Sequence, residues 1–277
     1  MSQIFQSKFL TVANSLTLIK HRADSMNAST ERPNHALVIG ASSGIADALI
    51  AQLLQDETLA RVTAISRSSC PEKWRDHPRI CWLFSNYDET TINAIGLQLL
   101  EQQKTDPLHI DQVFICNGIL HGENFKPEKR VEELDAEIMQ QVFHANTIIP
   151  ALWLKVLRPL LAGKRSCHMV FLSARVGSIN DNRMGGWYSY RASKSALNML
   201  LKTAAIEYAR RAKNVKLIAF HPGTTDTALS KPFQKNVAEG KLFKPDFVAR
   251  QLLSLVAKTP VDGTLSYLDW DHRTIDW

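Results

Sequence analysis

The chain has few of the residues that would build a disulfide framework or a metal centre. Only four of its 277 residues are cysteine (Cys70, Cys81, Cys116 and Cys167), and no two of them form a Cys-x-x-Cys pair. This spacing predicts neither disulfides nor a bound metal, and it fits a reducing compartment, the cytoplasm. Long apolar runs are also missing. No stretch approaches ~18 uninterrupted apolar residues, so no membrane span is expected.

A large excess of one charge is absent as well. The chain has 33 lysines and arginines against 27 aspartates and glutamates, which leaves a net charge of +6. That modest excess suits an anionic cofactor. Arrays that interleave aromatic and basic residues are missing, so we expect no nucleic-acid partner.

What the sequence does contain is a regular alternation of strand-like and helical patterns from His35 onward. Pro150 and Pro159 are expected to kink or fray one long helix. The alternation predicts an α/β fold, a Rossmann-type doubly wound parallel seven-stranded sheet with helices on both faces, in a single domain. The predicted strands span 35–40, 61–66, 79–85, 111–116, 168–173, 214–221 and 263–268, and the predicted helices span 45–54, 91–103, 131–161, 187–211 and 245–258.

A glycine-rich turn follows the first predicted strand, in the segment Gly40-Ala-Ser-Ser-Gly44-Ile-Ala46. Glycine permits a tight turn and a close approach of the backbone, and the amides at the start of the next helix can bind a pyrophosphate. Sheets of this class bind ligands at the carboxyl ends of their strands. The turn residues expected to contact a dinucleotide are Gly40, Ser42, Ser43, Gly44 and Ile45.

A tyrosine and a lysine, Tyr190 and Lys194, stand four positions apart in a predicted helix and therefore share one face. A phenol titrates near pKa ~10, and a neighbouring ammonium lowers that pKa. Tyr190 can then exchange a proton with an alcohol or a carbonyl near neutral pH. Together with the dinucleotide turn, this pair predicts hydride-transfer chemistry.

The residues after the second strand indicate which dinucleotide binds. Proteins that prefer the unphosphorylated cofactor usually place an acid there, to bond the ribose diol. Here Ser66-Arg67-Ser68-Ser69 offers a guanidinium and hydroxyls, which suit a 2′-phosphate. We therefore predict NADP(H), with Arg67 and Ser43 near that phosphate.

These motifs, in this order, resemble the short-chain dehydrogenase/reductase family over about 35–277. The matching elements are Gly40-x-x-x-Gly44-x-Ala46, Asn117-Gly118, Asn146, Tyr190-x-x-x-Lys194 and Pro222-Gly223-x-x-x-Thr227. More narrowly, the segments 175–182, 185–194 and 221–227 are similar to the C-factor and sniffer-type carbonyl reductase branch.

The resemblance implies roles for single residues. Asn146 would hold a water that links Lys194 to solvent, and Lys194 would also bind the nicotinamide ribose. Thr227 would hold the nicotinamide carboxamide. Further residues implied to border the cofactor are Asn86 (or Ser85), Asn117, Gly118, Pro222, Gly223 and Thr225.

The chain departs from the family at the catalytic serine. The family ends its fifth strand in Ser-Ser, whereas this chain has Leu172-Ser173-Ala174, so the direct alignment puts Ala174 at the position that polarises the carbonyl. One such donor can be worth ~3 kcal/mol. Ser173 is the first candidate to replace it, although strand neighbours point to opposite faces, and Ser178 is the second.

Two functions remain open from the sequence. The first is an NADPH-dependent oxidoreductase that reduces an aldehyde or ketone, or runs the reverse alcohol oxidation, with Tyr190 as general acid/base and Lys194, Asn146 and Ser173 in support. The alternative, motivated by Ala174, is a C-factor-like dinucleotide-binding signalling protein with weak or no catalysis. Apolar helices at 131–161 and 187–211 predict a homo-oligomer.

Two further segments are given interpretations. Residues 228–244 are expected either to form a mobile lid, with Leu229, Phe233, Leu242 and Phe243 lining an apolar pocket, or to be an ordinary packed loop. The segment from Met1 to Arg22 is basic, contains no acidic residue and lacks the continuous apolar core of a secretory signal; residues 1–34 are taken together as one segment. They are interpreted as an N-terminal extension, disordered or preceding the true start, with an organelle-targeting peptide as the weaker alternative. The dinucleotide-binding domain would span 35–277.

Overall fold

The computed structural model describes residues 34–105 and 108–277. The extension predicted for 1–34 lies, apart from Asn34, outside the described residues. In the described part of the chain, no helix is long and apolar enough to cross a membrane, and no cluster of His, Cys, Asp and Glu is arranged to hold a metal ion.

The centre of the fold is a seven-stranded sheet in which every pairing is parallel, with strand order β3-β2-β1-β4-β5-β6-β9. The strand order reverses between β1 and β4, which makes this pair the switch point where such sheets bind ligands. The predicted fold is confirmed. The strands are β1 Asn34–Ile39, β2 Leu59–Ser66, β3 Ile80–Phe84, β4 His109–Ile115, β5 Cys167–Leu172, β6 Val215–His221 and β9 Leu265–Asp269, and the short strands β7 Thr224–Thr225 and β8 Leu242–Phe243 pair separately.

Helices cover both faces of the sheet. Successive strand residues point to opposite faces, so each face carries apolar side chains that are buried under helices in one of two hydrophobic clusters. On β1, Leu37 packs into the cluster that contains Trp153, whereas Val38 packs into the cluster that contains Leu49 and Val248. The helices are α1 Gly44–Leu53, α2 Glu72–Arg75, α3 Glu89–Thr105, α4 Ala136–Phe143, α5 Ile149–Leu161, α6 Tyr188–Arg211 and α7 Pro245–Lys258.

The helix predicted for 131–161 is interrupted. After a 3₁₀ turn at Val131–Glu133, α4 begins at the cap Asp135 and gives way to a π-helical turn, His144–Ile148, before α5 continues. Pro150 explains the change, because it has no N–H to donate to the carbonyl of Asn146, and its ring would clash there in an α-helix. A single π turn inside a helix is frequent at functional sites.

Candidate active site

Five residues predicted for the site follow the carboxyl ends of neighbouring strands. Gly40, Arg67, Ser173 and Pro222 come directly after β1, β2, β5 and β6, and Asn117 lies two residues beyond β4. The parallel sheet therefore brings these five positions to one edge.

The glycine turn has the geometry of a close backbone approach. Gly40 has φ +81°, and a Cβ at this position would lie 2.9 Å from the carbonyl carbon of Cys116, so only glycine fits. The next residues open α1: Ser43 caps it by accepting from the N–H of Ala46 at 3.2 Å, and the exposed Ser42 precedes that cap.

The turn also meets the segment after β6. A Cβ on Gly44 would lie 3.0 Å from Cγ2 of Thr227, so Thr227 lies against the start of α1. Ile45, Pro222, Gly223, Thr225 and Thr227 all line one cavity, as predicted for neighbours of a common ligand.

Tyr87 supports the glycine turn, and the sequence reasoning passed over it. Its hydroxyl donates to the carbonyl of Ile65 and accepts from the N–H of Gly40, both at 3.0 Å. Burial raises the pKa of Tyr87. Its φ of +66° is unusual for a non-glycine residue and marks a special position, but this angle is visible in the structure and not in the sequence.

Arg67 extends over this tyrosine, with its guanidinium carbon 5.9 Å from the ring centroid. Arg67 is exposed, and among the described residues it forms no ion pair with a carboxylate. A guanidinium without a carboxylate partner is available to an anionic ligand.

Asn86, predicted at the adenine, uses its side chain locally. Its oxygen accepts from the N–H of Asp88 at 3.0 Å and from the hydroxyl of Thr91 at 2.6 Å, and its NH₂ donates to Asp88. The alternative, Ser85, is fully buried and accepts from the N–H of Tyr87. Both side chains thus stabilise the turn into α3, and a side-chain contact with adenine would compete with these bonds.

Small residues after β4 let three polar groups converge. A Cβ on Gly118 would lie 3.3 Å from Oδ1 of Asn146 and 3.4 Å from Nζ of Lys194. Beside it, Oδ1 of Asn117 is buried and has no hydrogen-bond partner among the described residues. A buried unpaired oxygen is costly, which makes it a candidate contact for a ligand.

Asn146 is fully buried in the π turn, and its side chain serves the loop after β4. Oδ1 accepts from the N–H of Ile119 at 2.7 Å, while Nδ2 donates to the carbonyl of Ile119 and to Oγ of Ser193. Thr147 adds a bond to the carbonyl of Ser193 at 2.8 Å. The π turn is therefore tied to α6 one residue before Lys194.

Tyr190 and Lys194 lie side by side on α6, with Nζ 5.9 Å from the centroid of the phenol ring. They are 8% and 2% exposed. Burial raises the pKa of Tyr190 above its ordinary value and lowers the pKa of Lys194 to about 7. Desolvation of the phenol thus raises the tyrosine pKa instead of lowering it as expected, and the ammonium of Lys194 donates to the carbonyl of Leu172 at 2.8 Å.

A buried carboxylate holds the start of α6. Glu128 accepts from both the hydroxyl and the N–H of Ser189, and its carbonyl accepts from the N–H of Trp187. A carboxylate at a helix N-terminus satisfies free N–H groups and complements the helix dipole. Sequence reasoning missed Glu128 because its partner lies 61 residues away.

The two serines predicted as substitutes for the family serine both take part in other hydrogen bonds. Ser173 lines the cavity, but its hydroxyl donates to Oδ1 of Asn198 at 2.7 Å, whereas Ala174 packs against Tyr190 and Leu120. Strand alternation is the reason, since neighbours face opposite ways. Ser178 is buried, and its hydroxyl accepts from the N–H of Asp181. Both serine hydroxyls thus have partners inside the described part of the chain, and the catalytic role of Ser173 stays a prediction.

The cavity has a volume of about 1050 Å³ and is closed on one side by residues 228–244. Phe233, in a 3₁₀ turn, packs on Trp187 at 5.1 Å between centroids, and Trp187 contacts Tyr190 at 6.2 Å. Of the predicted lid residues, Leu229 and Phe233 line the cavity, whereas Phe243 packs against Trp270 instead and Leu242 is partly exposed.

Two curated relatives share moderate identity with the chain. Benzil reductase ((S)-benzoin forming) of Bacillus cereus is 24% identical over 80% of this chain and 93% of its own length. The C-signal protein of Myxococcus xanthus is 26% identical over 52% of this chain and 82% of its own length. The chain is thus similar to a reductase and to the C-factor branch that the sequence predicted.

A solved structure has the same fold. The NADPH-bound carbonyl reductase from chicken fatty liver superposes with a TM-score of 0.76 at 22% identity, covering 89% of this chain and 100% of the other. Residues 34–238 match the family described as short chain dehydrogenase. Because that match spans well over half of the sequence, the chain belongs to the short chain dehydrogenase family.

Proposed function

We propose that the protein is an NADPH-dependent oxidoreductase that reduces an aldehyde or ketone, or oxidises the corresponding alcohol. The observation that carries the proposal is the placement of Tyr190, which lies at the wall of a cavity that also reaches Ile45 of the glycine turn, with the buried Lys194 behind its ring. A titratable pair in such a cavity is a candidate for proton transfer.

The residues at the strand ends fit a phosphorylated dinucleotide. The turn at Gly40 admits a close backbone approach, and the N–H groups that open α1 would bind the pyrophosphate. Arg67 would pair with the 2′-phosphate, and the unpaired Oδ1 of Asn117 would accept a bond from the cofactor. When bound, NADPH supplies the hydride. The name of the chicken structure includes the same cofactor.

The side chains of this protein would supply the proton. Burial keeps Tyr190 protonated at neutral pH, which is the state a proton donor needs. Lys194, with a pKa of about 7, can then return a proton to the phenolate. The carbonyl of Asn146 receives no N–H from Pro150, so it can accept from a water that connects Lys194 to solvent.

The cavity wall favours an aromatic or other flat apolar substrate. Phe125, Trp187 and Phe233 line it near Tyr190, and Ala174 adds a methyl group beside the phenol. The name of the Bacillus relative indicates a substrate with two aromatic rings, which agrees with this composition. We propose aromatic aldehydes and ketones as the first compounds to test.

Cellular context is also proposed. Met199, Leu200 and Ile206 are exposed apolar side chains on α6, and we propose that they pack against a second copy in a homo-oligomer. The four cysteines of the described residues are free, and we propose that the protein functions in the reducing cytoplasm.

A second function, a dinucleotide-binding signalling protein with weak or no catalysis, is favoured by one observation. Ala174 stands beside Tyr190 where the family serine would polarise the carbonyl. The similarity to the C-signal protein favours the same signalling function. The third and fourth predictions below separate this function from the reductase.

The first prediction concerns Arg67. Arg67→Ala should raise the KM for NADPH about 10–100-fold and leave the KM for NADH unchanged, because only NADPH carries the phosphate. Arg67→Lys keeps the charge but loses the planar guanidinium, so its KM for NADPH should lie between those of the wild type and Arg67→Ala. Equal effects on both cofactors would contradict the assignment of Arg67.

The second prediction concerns the protonation of Lys194. Because its folded pKa is about 7, the unfolded chain holds more protons at this site above pH 7, so the stability of the wild type should rise there with pH. Lys194→Met should have a larger free energy of unfolding than the wild type, and this difference should shrink between about pH 7 and 10. Urea unfolding at several pH values measures the difference, with the exposed Lys213→Met as control. A difference that does not change with pH would show that the pKa of Lys194 is not lowered in the folded protein.

The third prediction concerns Tyr190. Tyr190→Phe should lower kcat for an aromatic aldehyde by about 10²–10⁴, because the phenolic proton is lost. The Kd for NADPH should change little, because the glycine turn is intact. Tyr188→Phe, two residues away and outside the cavity lining, is the matched control and should keep full activity. NADPH binding without any turnover above Tyr190→Phe would move the signalling function to first place.

The fourth prediction concerns Ala174. Ala174→Ser should raise kcat for the same aldehyde at least about tenfold, because it restores one donor to the developing oxyanion. Ser173→Ala should change kcat little, since the hydroxyl of Ser173 is bonded to Asn198. A wild type without turnover that gains it with Ala174→Ser would support the signalling function. A large loss in Ser173→Ala would return the catalytic role to that serine.

A further inference from the structure

The cavity beside Tyr190 has basic groups and no acidic ones. Lys126, Lys129 and Lys241 line it, and no aspartate or glutamate does. All three lysines are exposed, and none forms an ion pair within the described parts of the chain, 34–105 and 108–277. An apolar cavity bounded by unpaired ammonium groups attracts an anion.

The same segments contain four acidic residues, and none of them lines the cavity; Glu123 and Glu239 are exposed. The carboxylate of Glu128, between two of these lysines, is bonded to Ser189 at the start of α6. Asp226, near the other wall, accepts from Gln234 at 2.8 Å and lies 4.0 Å from Lys231. The positive charge of the cavity is therefore not cancelled from within.

The lysines come from two segments that both line the cavity. Lys126 and Lys129 flank Glu128, which fixes them relative to the helix that carries Tyr190. Lys241 ends the segment that carries Phe233, just before β8 pairs with β7. An anion in the cavity would therefore meet ammonium groups from both segments.

We infer that the carbonyl substrate carries an anionic group, such as a carboxylate or phosphate, which binds Lys126, Lys129 and Lys241 while its apolar part lies against Trp187 and Phe233. The inference rests on the proposed reductase function and specifies its substrate class. It predicts selection for charged over neutral carbonyl compounds of the same shape.

The phosphates of the cofactor are bound elsewhere in this assignment. Of the glycine turn only Ile45 lines the cavity, and Arg67 does not line it. The pyrophosphate and the 2′-phosphate belong to those positions, at the ends of β1 and β2. The lysines, on the segments after β4 and before β8, are left for the substrate.

Matched acids and esters test the inference. The compounds are 4-carboxybenzaldehyde and 4-(carboxymethoxy)benzaldehyde, which differ in the reach of the anion, each beside its methyl ester. We expect kcat/KM for at least one acid to exceed that of its ester about tenfold or more, and to fall with added KCl, whereas the ester is insensitive to salt.

The triple variant Lys126→Ala/Lys129→Ala/Lys241→Ala should remove the preference. The acid should lose about tenfold in kcat/KM, the ester should be unchanged, and the Kd for NADPH should stay within about twofold. Lys213→Ala, an exposed lysine outside the cavity, is the control and should leave the preference intact. A triple variant that instead weakens NADPH binding would assign the lysines to the cofactor and overturn the inference.

Calorimetry separates this inference from the proposed function. The same acids and esters are titrated into Tyr190→Phe protein with NADPH, where no turnover interferes. Tighter binding of an acid than of its ester, lost in the triple variant, supports the anion site even if no carbonyl is reduced. Equal affinity, or equal kcat/KM in an active wild type, overturns the anion site and leaves the reductase standing.

Discussion

The geometry of the site depends on the burial of one ammonium group. Lys194 lies where the loop after β4, the end of β5 and the helix α6 meet, and it donates to the carbonyl of Leu172. Space for it exists only because its neighbours are small. A Cβ on Gly177 would lie 2.8 Å from the Cβ of Lys194, so the loop after β5 can pack here only with glycine at this position. The low pKa of Lys194 is a direct result of this packing.

That constraint also determines what surrounds the phenol. The loop after β5 packs on α6 through Gly177, and Ser195 donates to the carbonyl of Gly177 at 2.8 Å. With the loop so placed, β5 directs the hydroxyl of Ser173 toward Asn198 and the methyl of Ala174 toward Tyr190. The methyl group of Ala174 and the phenol of Tyr190 therefore lie beside each other at this wall.

The sequence predicted the sheet and the location of the site, because buried parallel strands are short apolar runs and the residues at their ends converge by topology alone. Pro150 predicted a kink in the helix over 131–161, but its form, a π turn at His144–Ile148, could not be predicted, since a helical pattern continues through a π turn. The pKa of Tyr190 was predicted in the wrong direction, because a four-residue spacing gives proximity but not desolvation. Tyr87 and Glu128 were missed because their partners are 47 and 61 residues distant, and no local pattern marks them.

The bond from Tyr87 to the turn has a consequence for how the protein folds. The glycine turn at residue 40 acquires its final form only when β2 presents the carbonyl of Ile65 and the chain beyond β3 delivers the tyrosine hydroxyl. A turn that is local in sequence is thus completed by a long-range contact, and closing that loop has an entropic cost before the contact forms. A chain that ends before Tyr87 therefore contains the glycine motif without the hydroxyl that bonds to its backbone.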